Sequence, residues 1–369
     1  MGRQLLHPVG SLGIVETVSA LCGVQAQVPS SAELAIALRR RASRQGEVAQ
    51  ALAERRLIRT WAMRGTLHLL DPRDAGAYLA LVASARSWER PAWQRSFGVS
   101  AAEMRDLAAA VGEALDGRVL EREELIEEIA ARTGRRDLEA QLRSGWGAVL
   151  KPLAWMGHLC HGPTRAGRVT FTLPATWLPS WEGIAAPEEA ARRVIPAYLS
   201  AYGPATMQAF DAWLTRGSSS RTQVRGWFES VAERLVTVDV DGRACFARTE
   251  DLDGLLAARP TRALRMLAGF DQYLLGPGTG DTSIVPAQRR RQVSRAAGWI
   301  SPVVLYGGRV AGVWELRDDL LTVTLFAPPT ARVSKLLRSE AERVGAALRR
   351  ELRVCLEVDP LESPGEPPP

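Results

Sequence analysis

The sequence predicts an α+β protein made of three tandem winged-helix modules and a β-rich C-terminal α/β domain. The order of three helices followed by two short strands occurs three times in succession. From about Leu264 the pattern changes to adjacent β-rich runs. Three helices with a two-stranded wing is the plan of a winged helix, a relative of the helix-turn-helix. The predicted divisions are 1–98, 99–180 and 181–260 for the winged helices, 261–359 for the C-terminal domain and 360–369 for a disordered, Pro- and Glu-rich tail.

In the first module, helices are expected at 11–22, 30–41 and 47–55. Ser30 or Ser31 is placed to cap the second of these helices. Two β-rich runs, 57–63 and 66–70, meet at Arg64-Gly65 and predict a hairpin.

The second and third modules repeat this order. Helices are expected at 101–115, 121–132 and 138–156, then at 187–201, 204–214 and 219–231. The paired strands are expected at 157–161 with 168–172, and at 234–238 with 243–247. Trp155, Trp213 and Trp227 lie on apolar faces and are predicted to be core residues rather than base-stacking platforms.

The C-terminal domain is expected to contain adjacent strands and one amphipathic helix. The strands are expected at 301–306, 308–315, 320–326 and 354–358, and the helix at 330–351. Gly307-Gly308 marks a tight hairpin turn.

Composition indicates an ordinary globular protein with a basic surface. The 369 residues are 46% hydrophobic and 24% charged, with a net charge of +6 and a pI of about 9.5. This balance is compatible with a polyanionic partner. No run reaches the roughly 18 apolar residues of a membrane span, and four cysteines without paired spacing indicate reduced thiols, so a cytoplasmic location is expected.

The basic side chains are almost all arginine. Only Lys151 and Lys335 of the 47 basic residues are lysine, a bias typical of a GC-rich genome. Because amine nucleophiles are nearly absent, the composition argues against a lyase that traps an opened sugar as a Schiff base.

Gln25 and Gln27 are the strongest candidates for a chemical role. They lie one residue apart between two predicted helices, and in an extended loop their side chains would point the same way. A carboxamide does not take a proton at neutral pH, but it can hold a water molecule by donating and accepting together. Such a pair suits a reaction with an activated leaving group; a surface or capping role is the alternative.

The sequence predicts neither a metal nor another cofactor. His158, Cys160 and His161 lie close together, but strand alternation places His161 opposite the other two and no fourth ligand is near. The run 276–280 is glycine-rich yet lacks the Gly-Lys-Ser/Thr ending of a phosphate loop, and no Gly-x-Ser-x-Gly elbow occurs.

Several basic residues are candidates for contacts with DNA. Arg221 and Arg225 fall on the third helix of the third module, which is the recognition-helix position. The other candidates are Arg59, Arg64 and His68 around the first hairpin, and Arg289, Arg290 and Arg291 in the densest cluster. For each arginine alone, a solvated surface charge is the alternative.

Five motifs in a fixed order resemble the AlkZ/YcaQ family of bacterial DNA glycosylases, over nearly the whole chain. They are Gln25-Ala26-Gln27, 59–68 (RTWAMRGTLH), 270–275 (FDQYLL), 298–302 (GWISP) and 307–314 (GGRVAGVW). AlkZ-like members carry a Gln-apolar-Gln motif, which this chain matches, whereas YcaQ-like members end the motif with aspartate. The resemblance implies a C-shaped arrangement around a basic channel and excision of N7-alkylguanine from double-stranded DNA by a monomer. Some members unhook interstrand crosslinks or protect a producing organism.

By this resemblance, Gln25 and Gln27 would orient the attacking water. Asp271 is the candidate carboxylate for stabilising the sugar cation, with a helix-cap or structural role as the alternative. Non-enzymatic DNA binding, by a transcription regulator or an adduct-shielding protein, is the competing function. A helical scaffold with a merely arginine-rich surface is a weaker third hypothesis.

Overall fold

The computed structural model describes residues 1–144 and 147–359, so the predicted tail lies outside the described residues. The helices in chain order are α1 Ile14–Ala20, α2 Pro29–Ala37, α3 Glu47–Ala53, α4 Pro72–Ser84, α5 Pro91–Phe97, α6 Ala101–Leu115, α7 Arg122–Thr133, α8 Glu139–Arg143, α9 Leu150–Trp155, α10 Pro174–Trp177, α11 Pro187–Tyr202, α12 Met207–Thr215, α13 Arg221–Glu229, α14 Leu252–Leu256, α15 Gln272–Leu275, α16 Arg290–Val293 and α17 Ala331–Leu348. The strands are β1 Val24–Gln25, β2 Ile58–Trp61, β3 Leu67–Leu70, β4 Val119–Glu121, β5 Cys160–His161, β6 Thr170–Thr172, β7 Leu235–Val240, β8 Arg243–Arg248, β9 Leu264–Leu267, β10 Val303–Tyr306, β11 Arg309–Arg317, β12 Leu320–Leu325 and β13 Arg353–Val358.

The chain divides into two compact units. Of the described residues, the first unit contains 1–13, 28–45 and 254–359, and the second contains those within 14–27 and 46–253. Helix α2 therefore belongs to the first unit, while α1, α3 and the first hairpin belong to the second. The predicted winged-helix boundaries do not follow this division and remain predictions.

The second unit contains a six-stranded sheet in the order β1-β3-β2-β5-β6-β4. The predicted hairpins β2–β3 and β5–β6 are confirmed, and Arg59 pairs with His161 to join them into one sheet. The third predicted hairpin, β7–β8, forms a separate two-stranded sheet.

Apolar side chains from the helices around these sheets form the core of the second unit. Trp155, Trp213 and Trp227 are all buried in it, which confirms their prediction as core residues. The helix expected at 138–156 is wrong as one element, because α8 and α9 are separate. Gly147 between them has a φ of 61°, and a Cβ there would lie 2.5 Å from the Trp61 ring.

The first unit contains a five-stranded sheet in the order β13-β12-β11-β10-β9, with β13 parallel to β12. This confirms the predicted mixture of strands and a helix near the C-terminus. The buried carboxylate of Glu340 on α17 accepts hydrogen bonds from Arg265 and from the backbone N–H of Met266 on β9. No helix among the described residues combines the length and the apolar character that crossing a membrane needs.

Candidate active site

Strand β1 fixes the position of the glutamine pair in the second unit. Gln25 pairs with His68 of β3, and the backbone N–H of Ala26 donates to Leu67 O at 2.7 Å. The strand starts after Gly23, whose φ is 89° and where a Cβ would lie 2.5 Å from a methyl of Leu70. Only glycine allows β1 to approach β3 this closely.

Arg64 fixes the orientation of the Gln25 carboxamide. Its Nη2 donates to Oε1 of Gln25 at 3.1 Å, and its Nη1 donates to the carbonyl of Trp213 at 3.0 Å. Because a guanidinium only donates, the atom that faces it must be the carboxamide oxygen. The Nε2 group of Gln25 donates to no described residue, so it remains available to another acceptor, although the residue as a whole is only 5% exposed.

Gln27 is held by a similar contact but is exposed. The chain bends at this residue, and the backbone N–H of Leu67 donates to its Oε1 at 3.3 Å. A backbone N–H also only donates, so the oxygen of Gln27 faces the protein. Each glutamine therefore retains an amino group and a second oxygen lone pair for a ligand.

Arg64 lies in the turn between β2 and β3 with a left-handed backbone, φ 58°. Burial is the main cause that lowers the pKa of Arg64, to about 10, so the guanidinium stays charged at neutral pH. Trp213 belongs to the last turn of α12, where carbonyls lack helical partners and a cation is favourable. Arg64 thus caps a helix and orients Gln25 at the same time.

Gln25, His68 and Thr60 form a polar row across β1, β3 and β2, because directly paired residues share one face of an antiparallel sheet. His68 is 0% exposed, and its Nδ1 donates to Thr66 O at 2.9 Å. Burial, with a smaller contribution from the charge of Arg64, lowers the pKa of His68 to about 3. His68 is therefore a neutral, interior side chain, and its burial argues against a direct DNA contact.

Asp271 is enclosed in the first unit. Its Oδ1 and Oδ2 accept hydrogen bonds from Arg39 at 2.7 and 2.8 Å, and both side chains are 0% exposed. Oδ1 also accepts from the backbone N–H of Tyr273 at 2.8 Å, which caps α15. This geometry supports the helix-cap and structural alternative for Asp271.

The candidate DNA-contacting arginines differ in exposure. Arg221, Arg225, Arg290 and Arg291 are exposed, as phosphate contacts require. Arg289 is buried, ion-paired with Asp359 at 3.0 Å and seated over the Phe326 ring, so its guanidinium is committed to the interior of the first unit.

Arg59 is half-buried on β2, and burial lowers its pKa.

Two cations near Arg64 were not predicted from the sequence. Lys151 on α9 packs on the hairpin turn: its Cδ and Nζ lie 3.6 and 3.9 Å from where a Cβ of Gly65 would stand. Arg216 is the C-cap of α12, three residues after Trp213. Lysine is rare in this chain, and that rarity was the one feature of the sequence that drew attention to Lys151. It did not indicate that Lys151 lies beside the first hairpin.

Comparison with known proteins identifies the class of enzyme to which the chain belongs, the DNA glycosylases. Residues 18–347 match the family described as DNA glycosylase AlkZ-like, and the chain belongs to this family. The predicted family and enzyme class are therefore confirmed.

Two comparisons, one of sequence and one of structure, show how close the similarity is. The chain is 49% identical over 349 residues to an interstrand DNA cross-link repair glycosylase of Streptomyces sahachiroi, with 94% of each chain covered. It also matches the solved structure of Streptomyces sahachiroi DNA glycosylase AlkZ with a TM-score of 0.93 and 48% identity over 96% of each chain.

Proposed function

We propose that this protein is a monofunctional glycosylase that hydrolyses the N-glycosidic bond of N7-alkylguanine in double-stranded DNA, including bulky adducts and interstrand crosslinks. The observation that carries the proposal is the pair of carboxamides whose oxygens are fixed by Arg64 and by the Leu67 N–H. The cross-link repair activity in the name of the 49% identical relative supports the crosslink part.

The chemistry of the lesion suits a site without a strong base. Alkylation at N7 gives guanine a positive charge, so the bond electrons pass to a base that departs neutral as the C1′–N9 bond breaks. Water then forms the new C1′–O bond and releases its proton to solvent. An enzyme without a carboxylate base loses roughly 10²–10⁴-fold in the rate of the chemical step. This loss is tolerable here because the leaving group is already activated.

Gln25 and Gln27 would act by positioning this water. Each retains an Nε2 donor and one oxygen lone pair after its contact with the protein, which is the combination that holds a water in one orientation. Because Arg64 and the β3 backbone hold the amides, little reorganisation is needed during the reaction.

The test uses purified protein and duplex DNA with one N7-methylguanine, and a second duplex with an N7–N7 crosslink. Wild-type protein should release the base and leave an abasic site, and Gln25→Ala/Gln27→Ala should lose most of this excision. Gln208→Ala, an exposed glutamine on α12 of the same unit, is the matched control. Full excision by the double variant would remove the glutamine pair from the mechanism, and wild-type binding without base release would refute the proposed activity.

A further inference from the structure

Arg64, Lys151 and Arg216 form a cluster of positive charge beside Gln25 in the second unit. Arg64 contacts Gln25 directly and contacts the last turn of α12, which Arg216 terminates. Lys151 packs on Gly65, the next residue after Arg64. Within residues 1–144 and 147–359, none of these three side chains pairs with a carboxylate.

The charge of Arg216 acts on both of the other cations. The positive charge of Arg216 contributes to lowering the pKa of Arg64 and that of Lys151, in each case after the larger effect of burial. The acceptors that Arg64 does use, a carboxamide and a backbone carbonyl, are both neutral. The cluster thus keeps an uncompensated charge, although surface arginines elsewhere in this chain, such as Arg143, are paired with glutamates.

We propose that Arg64, Lys151 and Arg216 form an anion site that receives a backbone phosphate of the DNA next to the nucleotide being excised. An anion would relieve the repulsion between Arg216 and the other two cations, and a phosphodiester is the anion that a glycosylase substrate supplies. Lys151 and Arg216 make the contact, since Arg64 is already committed to Gln25. The site thereby links capture of the backbone to the residue that holds the Gln25 carboxamide.

This inference rests on the proposed function for its ligand, and salt-dependent binding tests it separately from excision. Lys151→Met keeps the aliphatic stem that packs on Gly65 while removing the charge. Arg216→Asn removes the other charge with a residue that tolerates a left-handed backbone, as φ 61° at this position requires. Each variant should make the slope of log affinity against log salt less negative by about 0.9, so its affinity should fall about 3.5-fold less than that of wild type between 50 and 200 mM salt.

Lys335→Met is the matched control, because Lys335 is the other lysine of the chain, lies exposed on α17 and gives the same change in net charge. Its slope should equal that of wild type. Circular dichroism and thermal unfolding of each variant establish that it is folded. An equal change of slope in Lys335→Met would show a general charge effect and overturn the inference.

Neutral methylphosphonate linkages then locate the contact. One linkage at a time is replaced around the lesion, and binding is measured with wild type and with Lys151→Met. One linkage adjacent to the lesion should weaken binding by wild type more than binding by Lys151→Met, because Arg216 alone then holds that phosphate. Additive losses at every linkage near the lesion would overturn the proposed contact even if excision is normal, whereas absent excision by wild type would refute the proposed function instead.

Discussion

At Arg64 one guanidinium serves two neutral acceptors, the Gln25 carboxamide and the Trp213 carbonyl. A carboxamide can turn by 180° about its last bond and exchange donor for acceptor. The contact with Arg64 excludes the turned form because it would bring two donors together. The chemical character of Gln25 is therefore set by a residue that lies 39 positions later in the sequence.

Replacing Arg64 tests this positioning role. In Arg64→Met the Gln25 carboxamide loses its fixed orientation, and we expect the single-turnover excision rate at saturating protein to fall by 10-fold or more, toward ~10²-fold. Arg64→Lys, which keeps one donor and the charge, should lie between wild type and Arg64→Met. A variant that binds DNA more weakly but excises at the wild-type rate when saturated would show that Arg64 acts in binding alone.

Asp271 gives a second test, in the first unit. Asp271→Asn leaves the fully buried Arg39 without its counter-charge, so the free energy of unfolding should fall by about 3–5 kcal/mol. We expect excision activity to decrease only in proportion to the fraction of protein that is folded. Urea unfolding measures the stability, and the exposed Asp253→Asn should stay within about 0.5 kcal/mol of wild type. A stably folded Asp271→Asn that cannot excise would instead support the role as transition-state stabiliser.

Among the elements, β1 shows where sequence patterns stop being informative. Val24–Gln25 is too short to carry an alternating pattern, and it is a strand only because β3 pairs with it. The hairpins β2–β3 and β7–β8 were predictable because glycine-containing turns separate β-rich runs in the sequence. The break between α8 and α9 was not predictable from local patterns: at Gly147, between the two helices, a Cβ would lie 2.5 Å from the ring of Trp61, which is far away in the chain.

Gly23→Ala tests the approach of β1 to β3. Its Cβ would lie 2.5 Å from the Leu70 methyl and 3.2 Å from Leu69 O, so β1 must shift and carry Gln25 with it. We expect lower stability together with a lower excision rate per folded molecule. Gly46→Ala has a comparable φ, 73°, but open space around the new methyl; it should cost about 1 kcal/mol from backbone strain alone and leave excision unchanged. Equal effects of both substitutions would contradict the packing argument.

For the whole molecule, the sequence motifs predicted the family and the class of enzyme, but they did not predict how the side chains of the candidate site are arranged. The glutamine pair was identifiable from its spacing and from the family motifs, because it is local. The orientation of Gln25 by Arg64, the interior position of His68 and the cluster with Lys151 and Arg216 all depend on tertiary contacts. Single-sequence patterns do not report such contacts, so they gave Arg64 and His68 only as candidates for contacts with DNA.

Two buried histidines predict how stability depends on pH. His68 has a pKa lowered to about 3, and His161 has a pKa lowered well below its usual value, in both cases chiefly by burial. In the unfolded chain both would titrate near 6.5. The unfolded state therefore binds more protons below that pH, so stability is fully present above about pH 6.5 and decreases as the pH falls toward the folded-state values.

His161→Phe isolates one of these contributions. Both ring nitrogens of His161 lack hydrogen-bond partners among the described residues, and the ring packs between Trp61 and Phe171. The variant should therefore be at least as stable as wild type at pH 7.5, since it removes a buried polar group without a partner. Between pH 6 and 5 its free energy of unfolding in urea should decrease less steeply, by about 1.4 kcal/mol per pH unit. An unchanged slope in His161→Phe would mean that this histidine is protonated in the folded protein.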